Sequence, residues 1–186
     1  MPKIYIDQGH NPVNPNAGAE GNGFREQDLV YRIGQDTATL LRADGFEVRL
    51  SRPLPTSQLG TSTSTSLSSR VNDANSWGAD LFISLHTNAS VIESASGSEA
   101  YVYRRGGDAE ILAENILEQL GFATGLPDRG VFARPGLYVL RKTRMPATLV
   151  ELGFITNPTD AELMAYSPSL FAAGVRNGVL AYYGML

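Results

Sequence analysis

Two histidines and a handful of carboxylates hold most of the acid–base and metal chemistry open to this chain. Its 186 residues contain no cysteine, which removes disulfides, thiolate nucleophiles, iron–sulfur clusters and cysteine-based zinc sites together. The only imidazoles are His10 and His86. Joined by one carboxylate, they would make the three-ligand pattern of a catalytic zinc site, with the fourth position left for water. Such a metal lowers the pKa of its water to about 7 and polarises a carbonyl. Glu26 is a candidate third ligand, with Glu20 and Asp28 as competitors. Glu151 is a candidate general base that would later return the proton to a leaving amine. It interrupts the apolar stretch 147–154, where an unpaired carboxylate costs on the order of several kcal/mol, so it needs a partner. Asp7 is placed to orient His10 as an outer carboxylate. Each residue also has a plainer role. A lone histidine at a strand end is ordinarily just hydrogen-bonded, and a glutamate in a first helical turn suits the helix dipole. The residues form no compact motif such as His-Glu-x-x-His.

The elements that must position them alternate. Residues 3–7 read as a buried strand followed by a Gln-Gly-His turn, and 11–24 as an irregular loop rich in Gly, Pro and Asn. Apolar spacing predicts a helix over 26–44 with Gly45 as its stop. Strands are expected over 46–50, 80–86, 98–103, 137–140 and 147–152. Further helices are expected from Leu67 to Trp77, over 108–120 with Gly121 closing it, and over 168–183. The repetitive TSTSTS run at 61–66 reads as a bare connection. This pattern predicts an α/β fold: one domain over 1–186, with a mostly parallel or mixed sheet of about six strands and helices on both faces. In an open sheet of that kind ligands bind beyond the carboxyl ends of the strands. His10, His86 and Glu151 all fall at predicted strand ends, and Glu26 opens the helix after the first strand. The four converge if the strands run parallel.

Fifteen basic and nineteen acidic residues give a net charge of −4, without the basic face that phosphate neutralisation needs, so nucleic acid is not an expected partner. No apolar run approaches the roughly 18–20 residues of a membrane span. The start of the chain runs straight into a strand and does not read as a signal peptide.

Four ordered motifs then add a family resemblance: residues 4–10 (IYIDQGH), 16–26 (NAGAEGNGFRE), 79–89 (ADLFISLHTNA) and 146–157 (PATLVELGFITN). Arg70, Ala74 and Asn75, and the Arg-Gly-Val of Arg129–Val131, add softer matches. Together they resemble the zinc-dependent N-acetylmuramoyl-L-alanine amidases of type 3. The resemblance implies one Zn2+ per chain held by His10, Glu26 and His86, with Glu151 catalytic. It implies hydrolysis of the amide between N-acetylmuramic acid and the L-alanine of a peptidoglycan stem peptide, at an extracellular or cell-wall location. A monomer with an open groove is expected, walled by the loops at 16–23 and 90–98. Some family members depend on activating protein partners, which makes such a partner an option here. The first motif departs from the commoner Asp-Pro-Gly-His-Gly-Gly, reading Asp-Gln-Gly-His-Asn-Pro, which bears on the loop over the metal. Two other functions compete: a zinc peptidase using Arg129, Arg134 or Arg141 to hold a terminal carboxylate, and a non-catalytic wall-binding module.

Overall fold

The computed structural model describes residues 1–186. The chain opens with β1 (Lys3–Gln8), buried from Ile4 onward. Two short strands, β2 (Glu20–Gly21) and β3 (Phe24–Arg25), pair antiparallel inside the stretch expected to be loop. Helix α1 (Glu26–Ala43) follows, then β4 (Glu47–Leu50). Helix α2 (Thr63–Trp77) leads to β5 (Leu81–Asn88) and β6 (Ser98–Val102). Next come α3 (Asp108–Thr124), β7 (Asp128–Ala133), α4 (Tyr138–Lys142) and β8 (Ala147–Phe154). Helices α5 (Pro158–Tyr166) and α6 (Pro168–Tyr182) complete the chain. No helix is long and apolar enough to cross a membrane.

Six strands form one sheet in the order β4-β1-β5-β8-β6-β7. Strands β4, β1, β5 and β8 are parallel, and β6 runs antiparallel to β8. The expected α/β class and mixed six-stranded sheet are what the structure shows. Period-2 alternation splits the sheet's side chains cleanly. Ile4, Ile6, Leu81, Ile83, Leu85, Val150 and Leu152 join a cluster of 27 buried residues beneath α1, α3 and α6. Tyr5, Phe82, Ala147 and Leu149 belong to a second cluster of nine with residues of α2 and α4.

Several predicted elements differ. The stretch 137–140 is not a strand: Leu137 is the N-cap of α4 and Tyr138–Leu140 begin that helix. Val139 and Leu140 are buried against the second cluster, and the strand position is taken by β7, which the apolar pattern did not reveal. β7 is an edge strand with only Val131 buried, so alternation leaves almost no trace in it. Gly121 does not close α3; the helix continues to Thr124, and Gly125, at φ 74°, supplies the left-handed stop. Helix α5 was not anticipated; it starts at an Asn157 cap followed by Pro158. The TSTSTS run is no bare connection. Ser62 and Thr65 form a reciprocal capping box at the start of α2. One residue on, Ser66 is buried, and its Oγ accepts from Asn16 Nδ2 at 3.1 Å.

Candidate metal centre

The turn after β1 places the first imidazole. His10 adopts φ 64°, a left-handed conformation that costs a non-glycine residue roughly 1–2 kcal/mol. Arg70 holds it there. From α2, Arg70 reaches under the turn and donates to Asp7 Oδ1 at 2.6 Å, to the Gln8 carbonyl at 2.6 Å and to the His10 carbonyl. Ser84 Oγ donates to the other Asp7 oxygen at 2.7 Å. Burial alone would raise the Asp7 pKa, but the Arg70 charge and these hydrogen bonds bring it below the usual carboxylate range. Asp7 therefore does not orient the His10 ring, as the sequence suggested. It holds Arg70, and Arg70 holds the backbone that carries His10. Gly9 is required beside it, since a Cβ there would lie 2.5 Å from His86 Cε1.

Glu26 joins the two histidines. It stands in the first turn of α1 and is 3% exposed. Its Oε2 lies 3.1 Å from His10 Nε2, and its Oε1 lies 3.0 Å from His86 Nδ1. The same oxygens accept backbone N–H groups from Ala19 and Thr87, each at 2.9 Å. Burial acts to raise the Glu26 pKa, yet the two imidazole contacts outweigh it and hold the carboxyl ionised, well below its usual range. One potential ligand atom from each of His10, Glu26 and His86 lies within 4.8 Å of the others. Glu20 and Asp28 are outside this group; both are exposed and face Arg25.

Glu151 comes from β8, directly across from His86 on β5 and from Glu99 on β6. It sits fifth in an eight-residue strand, inside the strand rather than at its end. The residue is partly exposed, but its Oε2 is sealed from solvent without a hydrogen-bond partner. Burial first, and then the charges of Glu26 and Glu99, push its pKa up to about 8. The donor set suits zinc: two imidazoles and an ionised carboxylate converge, and buried His10 Nδ1 and Glu151 Oε2 flank them unpaired.

Sequence reasoning missed Glu99, the third carboxylate of this face. It is 8% exposed and fully engaged. Its Oε1 accepts from Asn88 Nδ2 at 2.9 Å and from the Tyr101 hydroxyl, and its Oε2 from Arg129 Nε at 2.9 Å. Alternation along 98–103 was the available signal, because it puts residue 99 on the same face as Tyr101. Beside the imidazoles, a cavity of 130 Å³ is lined by Gly9, His10, Leu67, His86, Tyr138 and Leu149, among others. The loop at 16–23 borders the centre, with Asn16 lining this cavity and Ala19 donating to Glu26, and it meets the loop at 90–98 in an open hollow shared by Gly21, Asn22, Ser90 and Val91.

A family model described as N-acetylmuramoyl-L-alanine amidase matches residues 4–181, almost the whole chain. The chain belongs to this amidase family. Among its relatives, the N-acetylmuramoyl-L-alanine amidase LytC of Bacillus subtilis is 36% identical over 184 residues, covering 97% of this chain and 35% of LytC. The sporulation-specific N-acetylmuramoyl-L-alanine amidase of the same organism is 35% identical, covering 96% of this chain and 67% of that protein. This chain thus spans about a third of the first relative and two thirds of the second. The catalytic domain of the amidase CwlV from Bacillus (Paenibacillus) polymyxa var. colistinus superposes with a TM-score of 0.86 at 27% identity, covering all of both chains. An N-acetylmuramoyl-L-alanine amidase from Clostridium difficile 630 gives 0.87 at 28% identity, over 99% of this chain and 97% of that one. The family resemblance read from the motifs and the fold read from the strand pattern agree with these matches.

Proposed function

We propose that this protein is a zinc-dependent hydrolase acting on peptidoglycan at the cell wall, where it cuts the amide between N-acetylmuramic acid and the L-alanine of the stem peptide. The observation that carries the reading is the convergence of His10, Glu26 and His86 on one point, with an unpartnered Glu151 across the strand, in a chain of the amidase family. In this reading His10 and His86, as neutral imidazoles, and the ionised Glu26 hold one zinc ion per chain. When bound, zinc supplies Lewis acidity, which an unreactive amide needs at its carbonyl. Glu151 does the proton work. It takes a proton from the attacking water and delivers it to the nitrogen of L-alanine as the C–N bond breaks and the C–O bond forms. The products are a lactyl carboxylate and a stem peptide with a free amino terminus. In the metal-free protein, burial and the charges of Glu26 and Glu99 make Glu151 a stronger base than an ordinary carboxylate. Arg70 and Asp7 keep the His10 turn in place.

The test is mass spectrometry of peptidoglycan digested by the protein with and without added zinc. Intact stem peptides bearing a new N-terminal L-alanine, released only when metal is present, support the reading. Cleavage within the stem peptide would replace it with the peptidase. Metal counting should give about one zinc per chain, lost on His86→Ala. A non-catalytic wall-binding module would instead bind the polymer and release nothing.

A further inference from the structure

From Glu151 a row of side chains runs away from the imidazoles, across β6 to the edge strand β7. Glu99 and Tyr101 share the sheet face of Glu151 and Leu149, their cross-strand partners. Phe132 stands next to Tyr101 on β7 and is 41% exposed. Tyr101 is fixed in place, because its hydroxyl donates to a Glu99 carboxylate that Asn88 and Arg129 also hold.

The arginines in this region have different commitments. Arg129 is tied to Glu99 at 2.9 Å, with its guanidinium 5.0 Å from the Phe154 ring centroid. Arg141, on α4, lines a separate hollow with Pro146 and Ala147 at the start of β8. Arg134 lies 5.1 Å from the Tyr101 ring centroid, is exposed, and has no side-chain hydrogen bond and no carboxylate partner. Stacking on a tethered ring fixes the plane of a guanidinium while leaving its N–H edge free for a carboxylate.

Resting on the amidase reading above, we propose that Arg134 is a specificity-determining residue for the peptide half of the substrate, binding a carboxylate on the residue that follows L-alanine. The reach agrees. From Glu151 to Tyr101 is one strand spacing across, about 4.8 Å, and two residues along, about 6.6 Å, hence about 8 Å on the diagonal. Two extended residues span about 7 Å, so a peptide leaving the scissile amide over β6 brings its second residue above Tyr101 and beside Arg134. Charge chooses the peptide over the glycan for this path: N-acetylated sugars with their lactyl group in amide linkage are neutral, whereas peptides carry carboxylates.

The experiment compares kcat/KM on two synthetic muramoyl peptides that differ only in a carboxylate or a carboxamide on the residue after L-alanine, using the zinc-loaded protein. The wild type should favour the carboxylate form about five- to tenfold, through KM. Arg134→Gln should bring the two substrates within twofold of each other, and Arg134→Glu should invert the preference. Equal cleavage of both by the wild type, or a preference that survives both substitutions, would overturn the role of Arg134 and leave the amidase reading standing. If the wild type cleaves neither substrate, the amidase reading falls, and this assignment with it.

Discussion

The two faces of the sheet are made by the same strands and follow opposite rules. Beneath α1, α3 and α6 the face is mainly apolar, with buried Gln8, Thr87, Ser98 and Thr148 as its polar members. There the helices pack so closely that a Cβ on Gly178 of α6 would lie 2.5 Å from Ile116 Cα of α3. The other face begins in the same way, with Tyr5 and Phe82 stacked at 5.5 Å. Toward the carboxyl ends of the parallel strands it changes to Asp7, Ser84, His86, Glu99 and Glu151. Stability is concentrated on the first face and chemistry on the second. The second face also divides: Asp7 is satisfied by Arg70 and Ser84, Glu99 by three donors, and Glu151 Oε2 by nothing. A buried polar group without a partner is what a folding core avoids and a reacting site can use.

The largest effect expected from this contrast is at Glu151. Glu151→Gln should lower hydrolysis by about 10²–10⁴-fold in steady-state assays while zinc binding persists; full activity would remove Glu151 from the chemistry. The same variant should stabilise the metal-free protein. The Glu151 pKa is raised from 4.5 to about 8 on folding, so the wild type loses stability as pH rises through that window. Urea melts should show Glu151→Gln ahead by on the order of 1–3 kcal/mol above pH 8, with the gap closing near pH 4.

Arg70→Ala should rank second, at about 3–5 kcal/mol of unfolding free energy, because it leaves the Asp7 charge buried and unpaired. Since the Asp7 pKa is lowered in the fold, the pair stabilises above the ordinary carboxylate pKa and its contribution is lost as pH falls through the lowered value. Acid titration of the variant against the wild type checks this, and equal acid sensitivity would count against it. On the sealed face, Gly178→Ala should cost about 1–3 kcal/mol through overpacking against the Ile116 backbone, with metal content unchanged. A Gly178→Ala protein as stable as the wild type would show that the α3–α6 contact can relax. The smallest effect is expected from Ser62→Ala, which removes the α2 cap and should cost about 1 kcal/mol in thermal melts.

What could be read in advance followed the same division. Strands β1, β5 and β8 are long and apolar, and their residues were legible because burial on both faces writes itself into composition. β7 left no such trace, since an edge strand with most of its residues exposed has no apolar run. The tetrapeptide 137–140 is as apolar as a strand, and only its packing between α2 and β8 makes it the start of a helix. Glu26 could be read as a first-turn glutamate but not preferred over Glu20 or Asp28 on spacing, because ligand choice depends on which side chain the α1 start turns inward. Arg70 was visible only as part of a family motif; its hold on Asp7 and on the His10 turn joins residues some sixty positions apart.

By itself the sequence determined the inventory: no thiol, two imidazoles, a glutamate in an apolar strand, and the alternation that makes an α/β sheet. Its ordered motifs also pointed to the family. Those are properties of residue type and local period. Only the tertiary structure decided that the antiparallel β6 brings Glu99 across from Glu151, that Asp7 serves Arg70 rather than His10, and that Arg134 stands free beside Tyr101. Each depends on strand order and direction, which arise from long-range packing and have no signature in any short stretch of chain.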